Sequence, residues 1–168
     1  ACNHLTNKQI PDISLPNQDG NLLKLNRSDT FRLIIYCYPM TGNPNKPLPK
    51  NWDSIPGARG CTPETCSFRD AHDDFITRNA VPVGLSTQSV PDIKEMTARL
   101  LIPYDVVSDE HLSFVNQLRL PTFKVEDKVY IKRLTLIVEE SIIKHFFYPV
   151  FPPELHVKEV LQWLDSNR

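Results

Sequence analysis

Hydrophobic and polar positions along the chain change period several times, and each change marks an element. Phe31 to Tyr38 (Phe-Arg-Leu-Ile-Ile-Tyr-Cys-Tyr) is almost unbroken apolar sequence bounded by turn signals, the pattern of a central strand buried on both faces. Val81 to Leu85 repeats it. Before them, Ile13 to Leu25 reads as a short β-hairpin turning at Asn17-Gln18-Asp19-Gly20. After the first buried strand comes a polar, Pro-rich loop from Pro39 to Gly60. It exceeds the length of about 15 residues beyond which structureless connections become uncommon and are usually functional or disordered. A helix is predicted over Cys61 to Arg78, with Phe68, His72, Phe75 and Ile76 on one face. A second follows over Pro91 to Leu101, then a short strand at Tyr104 to Val107 and a short helix at Glu110 to Leu118. Thr122 to Val125 and Val129 to Val138 form a hairpin around Glu126-Asp127-Lys128. Ile142 to Val150 is the last strand, its Phe146, Phe147 and Tyr148 alternating between core and edge together with Phe151. Pro153 to Leu164 closes the chain as an amphipathic helix.

Strands alternate with helices first, and antiparallel pairing follows. That order predicts an α/β protein with a mixed central sheet, helices on both faces and an N-terminal β-hairpin. It is compatible with a thioredoxin-like fold.

Composition narrows the function. A chain of 168 residues suits one domain, 1–168, with a single core. A net charge of −1 argues against a nucleic-acid binder, which would carry a basic face. No apolar run approaches the roughly 20 residues that span a bilayer, so no membrane association is expected. Ala1-Cys2-Asn3-His4 lacks the basic and apolar regions of a secretory signal, and a cytoplasmic location is the expectation.

The four cysteines, Cys2, Cys37, Cys61 and Cys66, are too few and too scattered for a disulfide framework. Cys37 falls on the buried strand and reads as core. Cys61 sits where the long loop becomes a helix: Pro63 suits a first helical turn, and Gly60 or Thr62 would cap it. A thiolate there meets unpaired backbone N–H groups and the positive end of the helix dipole. The dipole is worth about 0.3–1 kcal/mol. Full ionisation at neutral pH needs a shift of about 2 pKa units, or about 2.7 kcal/mol. A nearby cation is therefore wanted, and arginine suits because it keeps its charge when partly buried. Cys66 lies five residues on. On an α-helix that spacing separates Cα atoms by about 8–9 Å, beyond the roughly 7 Å that a disulfide spans. The pair can bridge only if the helix start unwinds. A zinc pair is disfavoured by the four intervening residues and the scattered histidines. A dithiol oxidoreductase ordinarily has two intervening residues rather than four.

Gly60-Cys61-Thr62-x-x-x-Cys66-x-Phe68-Arg69-Asp70 resembles the peroxiredoxins, most closely the Q class, also called bacterioferritin comigratory protein. The resemblance extends over most of the chain. Ile35 to Pro39 is similar to the strand leading into the active-site loop, Val83 to Ser86 to the next strand, and Lys132-Arg133-Leu-Thr135 to the strand bearing the active-site arginine. The resemblance implies a thioredoxin-like fold and a peroxidase that needs no metal or organic cofactor. It implies Cys61 as the peroxidatic thiol, Cys66 as the resolving thiol within the same chain, and Arg133 as the cation that polarises the peroxide. Pro39, Thr41 and Gly60 are the implied substrate-binding positions. A hydroperoxide is the implied substrate, thioredoxin or a similar dithiol the implied reductant, and a monomer or weak homodimer the implied state. The sequence also departs from the family. Ala58 stands where the family places Thr or Ser three residues before the cysteine, and Ser54 where it places Pro seven before. Pro39 lies 22 residues before Cys61 instead of seven, an insertion of about 15 residues that leaves Thr41 as the candidate for the missing hydroxyl. Two other readings stand beside the peroxidase: a thiol–disulfide oxidoreductase, and a non-enzymatic redox sensor or redoxin-like interaction module.

Overall fold

The structure is a computed structural model that describes residues 2–27 and 31–168. Ala1, the first residue of the N-terminal Ala1-Cys2-Asn3-His4 stretch, lies outside the described residues. The predicted N-terminal hairpin is present as β1 (Ser14–Pro16) and β2 (Leu22–Lys24), antiparallel, with Leu15 opposite Leu23.

The central sheet is built on β3 (Arg32–Cys37), the apolar run identified in the sequence. On one side β3 pairs in parallel with β4 (Ala80–Ser86), which pairs in parallel with β5 (Val106–Ser108). On the other it pairs antiparallel with β8 (Leu134–Glu139), and β8 pairs antiparallel with β9 (Ile142–Phe147). The sheet order β5-β4-β3-β8-β9 is thus mixed, as the alternation of elements predicts.

The period of two along β3 divides the core. Leu33, Ile35 and Cys37 face a cluster containing Leu5, Leu15, Leu25 and the apolar residues of helix α4 (Ser113–Leu118). Ile34, Tyr36 and Tyr38 face the opposite cluster. That cluster is supplied by α1 (Cys61–Asp70), α2 (His72–Thr77), α3 (Val90–Arg99) and α5 (His156–Ser166) through Phe68, Phe75, Ile93, Met96, Val160 and Leu164. Both faces are therefore covered, and burial on both faces explains why β3 carries almost no polar residue.

Four expectations are corrected. The helix predicted over 61–78 is two helices joined at Ala71, whose backbone leaves the helical region (φ −96°, ψ 8°). The bend brings Phe68 and Phe75 into a stack with centroids 5.4 Å apart, where seven residues of straight helix rise about 10.5 Å. It also turns Ile76 outward, so that residue is 49% exposed instead of buried. The strand predicted over 129–138 is likewise divided. Its first part, β7 (Lys128–Ile131), pairs with β6 (Thr122–Val125), and its second part is β8. Lys132 and Arg133 form the step between the two sheets, so Arg133 is carried at a break and not within a strand. The last strand stops at Phe147, short of Val150, because Pro149 has no N–H to offer a ladder. The helix expected from Glu110 begins at Ser113, where the Asp109 carboxylate accepts from the N–H groups of Phe114 and Val115 at 3.1 and 2.9 Å.

Candidate active site

Helix α1 begins at Cys61 because Gly60 caps it with φ +99°, in the left-handed region that glycine enters freely. A side chain here has no room either: a Cβ on Gly60 would lie 2.5 Å from Cγ of Pro153. Pro153 belongs to a 3-10 turn (Pro153–Leu155) that leads into α5 and packs against the start of α1. Ser67 adds a second tie, its hydroxyl donating to the carbonyl of Glu154 at 3.0 Å.

The Cys61 side chain is 3% exposed. Its Sγ accepts from the Met40 N–H at 3.4 Å and from Nη2 of Arg133 at 3.2 Å, and its thiol faces the Ala58 carbonyl at 3.7 Å. Arg133 is itself buried and binds four groups at once. Nη1 donates to Oε1 of Glu64 at 2.7 Å, and Nη2 donates to the carbonyls of Gly57 and Arg59 at 3.1 and 2.7 Å as well as to Cys61. The guanidinium is therefore a clamp joining the end of the long loop, the thiol and the first turn of α1.

Two charges shape the thiol. Burial pushes the Cys61 thiol up, against the downward pull of Arg133 and the Met40 N–H, while Glu64 adds to the rise. Burial likewise pushes the Glu64 carboxyl up to about 7 in spite of Arg133. Arg133 is held above its ordinary value by Cys61 and Glu64, which outweigh its own burial, so it stays charged. This corrects the sequence expectation, which weighed helix dipole and cation but not desolvation. It also corrects the source of the donors. Among the described residues the hydrogen bonds to Sγ come from Met40 at the exit of β3 and from Arg133, not from the first-turn amides of α1.

The structure brings Cys61, Gly60 and Arg133 together and places Cys66 on the same unbroken helix, half-buried. All four cysteines are free thiols. Pro39 is buried at the end of β3, directly before Met40. Thr41 is turned to other work: its hydroxyl donates to Oε1 of Gln88 at 3.3 Å, its N–H to the same atom at 3.2 Å, and Nε2 of Gln88 donates back to its carbonyl at 3.3 Å. The hydroxyl thus fixes the start of the loop to the segment after β4.

Glu64, Met40 and Gln88 were not among the residues singled out from sequence. Glu64 had a signal, since it stands three residues beyond Cys61 and so shares its helix face. A glutamate in a first turn reads as a solvated partner of the helix dipole, and only packing shows it to be fully buried.

Above Cys61 lies a cavity of about 290 Å³, bounded by Met40, Leu48, Trp52, Ala58 and Pro63 with the Asp53–Arg59 ion pair (3.4 Å) at its side. A cation-clamped thiol at a helix start beneath a small cavity is equipped for nucleophilic attack by sulfur.

The Redoxin family profile matches residues 5–164, and the chain belongs to that family. Named proteins similar to it include chloroplastic peroxiredoxins of the Q class. It is 23% identical over 156 residues to chloroplastic peroxiredoxin Q of Oryza sativa subsp. japonica, covering 93% of this chain and 64% of the relative. It is 24% identical to chloroplastic peroxiredoxin Q of Populus jackii, covering 93% and 66%. The chain thus spans just under two thirds of the length of these relatives. Among solved structures it superposes on the peroxidoxin BcpB from Mycobacterium tuberculosis with a TM-score of 0.77, 23% identity and 98% of each chain covered. It superposes on peroxiredoxin Q from Xanthomonas campestris with a TM-score of 0.73, 22% identity and 93% and 91% covered. The fold is thioredoxin-like, with the N-terminal hairpin as an addition to the central sheet.

Proposed function

We propose that the chain is a thiol peroxidase in which Cys61 attacks a hydroperoxide and Cys66 resolves the product. The observation that carries this is the Arg133 guanidinium 3.2 Å from a buried Cys61 sulfur at a helix start. In the proposed step the Cys61 sulfur attacks the terminal oxygen of R–O–O–H. An S–O bond forms and the O–O bond breaks, so sulfur is oxidised by two electrons to a sulfenic acid. The alkoxide leaves beside Arg133 and takes up the thiol proton as R–OH. The first turns of α1 then open, Cys66 displaces water from the sulfenic acid, and an intramolecular disulfide forms. A dithiol reductant of the thioredoxin kind returns both thiols by exchange. Relatives named as Q-class peroxiredoxins, and a Xanthomonas campestris bacterioferritin comigratory protein described for alkyl peroxide reduction, support the assignment.

The thiol–disulfide oxidoreductase reading is weaker, because a thiol that is 3% exposed is poorly placed to attack a protein disulfide. We place the reaction in a reducing compartment such as the cytoplasm, where an exchangeable pair is kept as thiols. One domain, 1–168, carries it, since the two main core clusters share strand β3. Among the described residues no helix is long and apolar enough to cross a membrane.

The test is peroxide consumption coupled to thioredoxin and its reductase. Cys61→Ser is expected to abolish turnover, and substantial residual consumption would end the assignment. Cys66→Ser is expected to leave a sulfenic acid that dimedone traps; normal cycling of that variant would show that Cys66 is not the resolving thiol.

A further inference from the structure

The middle of the long loop between β3 and α1, from Thr41 to Asn51, is polar with one exception. Between Met40 and Trp52 the sequence is Thr-Gly-Asn-Pro-Asn-Lys-Pro-Leu48-Pro-Lys-Asn, and Leu48 is its single large apolar residue. Leu48 is 45% exposed, so it is not held there by burial in a core. It lines the cavity that contains Cys61, together with Met40, Trp52 and Pro63. Pro47 and Pro49 flank it and restrict its backbone, which lowers the entropy lost in holding the side chain in place.

The wall that carries Leu48 is fixed from several sides. Trp52 is buried against Tyr130, with centroids 5.0 Å apart, and against Phe123 at 5.8 Å. Nη2 of Arg99 donates to the Gly42 carbonyl at 2.8 Å, and Lys46 pairs with Asp92 at 3.0 Å. The Lys50 N–H donates to Oε1 of Glu126 at 3.3 Å. The loop therefore stands over the cavity as a preformed surface. Its apolar contributions are Met40, Leu48, Trp52 and Ala58, and the two charged side chains that line the cavity, Asp53 and Arg59, are paired with each other.

We propose that this loop is the selector of the hydroperoxide, with Leu48 as the side chain that receives a neutral, apolar R group while the O–O bond lies at Cys61. The proposal rests on the peroxidase reading and extends it to the substrate class. Leu48 is a hydrocarbon side chain and is not among the polar partners of Cys61 Sγ, which are the Met40 N–H, the Ala58 carbonyl and Arg133, so its part is with R and not with the bond that breaks. Hydrogen peroxide has no R group and should be blind to it. A bulky aryl or branched alkyl hydroperoxide should depend on it.

The experiment is single-turnover oxidation of the reduced full chain, followed by stopped-flow tryptophan fluorescence, which Trp52 at the cavity is placed to report. Hydrogen peroxide and cumene hydroperoxide are the two probes, and the chains are the native protein, Leu48→Ala and Leu48→Asp. The expected result is that Leu48→Asp slows reaction with cumene hydroperoxide by about tenfold or more, the scale on which a hydrophobic pocket discriminates. Leu48→Ala should fall between, and all three chains should react with hydrogen peroxide within about twofold of one another. Thermal unfolding of the half-exposed variants is expected to match the native chain. Equal slowing with both probes, no slowing with either, or a native chain that reacts with hydrogen peroxide but not with cumene hydroperoxide each overturns the proposal. A native chain that reacts with both no faster than a free thiol overturns the peroxidase reading itself, and the selector with it.

Discussion

Cys61 and Cys66 share one helix and differ in nearly everything around them. Cys61 is enclosed by three separate parts of the chain: Met40 at the end of β3, Ala58 at the end of the long loop, and Arg133 at the step between β7 and β8. Cys66 is half-buried on the body of α1, between Thr65, whose carbonyl accepts from the Tyr104 hydroxyl at 3.1 Å, and Ser67, tied to Glu154. The first environment sets a cation and a backbone N–H against the cost of burying a thiol, and the second holds a helix. Proposed attack at Cys61 needs the enclosure intact, whereas joining the sulfurs needs it broken. The contacts that favour one step therefore oppose the next, and Arg133 lies at the centre of the conflict because it grips the thiol, two loop carbonyls and the first turn of α1 together.

The largest effect is expected from Arg133→Met, which strikes first at the Cys61 side of this comparison. It removes the cation beside the sulfur and leaves the fully buried Glu64 without its partner. Removal of a preorganised group of this kind costs about 10²–10³ in rate, so Cys61 oxidation in stopped flow should slow by at least about a hundredfold. Breaking a buried pair by removing one partner costs about 3–5 kcal/mol, and the unfolding midpoint in urea should fall accordingly. Alkylation of Cys66 in the native state should change little. If Cys61 reacted at the native rate in this variant, the clamp would be structural only.

A smaller and more specific effect is expected from Glu64→Gln. The carboxyl is raised in the fold from 4.5 to about 7, chiefly by burial. A raised acid favours its neutral form in the folded state. Its contribution to stability is complete below the ordinary value of 4.5 and is lost as pH rises through about 7. The native chain should therefore lose stability relative to the Gln variant between those limits, read as the difference in urea unfolding at pH 5 and pH 8. Glu64 also adds to the rise of the Cys61 thiol, so its neutral replacement should move the midpoint of iodoacetamide alkylation at Cys61 to lower pH. An unchanged or raised midpoint would mean that Glu64 matters to Cys61 only by aiming Arg133.

These two residues also mark where the sequence ceased to be informative. The buried strands, the hairpin and the start of α1 are written in short-range patterns: apolar runs, turn residues, and a glycine followed by Cys-Thr-Pro. Arg133 was reached through resemblance and through the need for a cation, but its position was misjudged. Nothing local in Lys-Val-Tyr-Ile-Lys-Arg-Leu-Thr shows that the strand breaks at Lys132 to pass from one sheet to another. The bend at Ala71 is equally silent, because alanine is a good helix former and the break serves the stacking of Phe68 on Phe75. Thr41 carries a hydroxyl near the right place in the chain, and the fold spends it on Gln88, a residue 47 positions away. Desolvation was the costliest omission. It sets the direction of the shift at both Cys61 and Glu64, and burial is a property of the packed chain that no local pattern spells out.

The smallest effect, and the one that probes the Cys66 side, is expected from Ser67→Ala. The Ser67 hydroxyl joins the second turn of α1 to the turn preceding α5 through one hydrogen bond to Glu154. A bond of this type contributes about 0.5–1.5 kcal/mol, and its exposure puts it near the lower figure. If α1 must open before the sulfurs meet, loss of this tie makes opening easier by the same amount. Disulfide formation after oxidation should then accelerate by about twofold, while the preceding oxidation of Cys61, which needs the enclosure closed, should keep its native rate. The two phases are separable in a single stopped-flow trace, with Cys66→Ser as the control that lacks the second. A second phase that does not change, or a first phase that slows with it, would show that the helix opens elsewhere than at this tie.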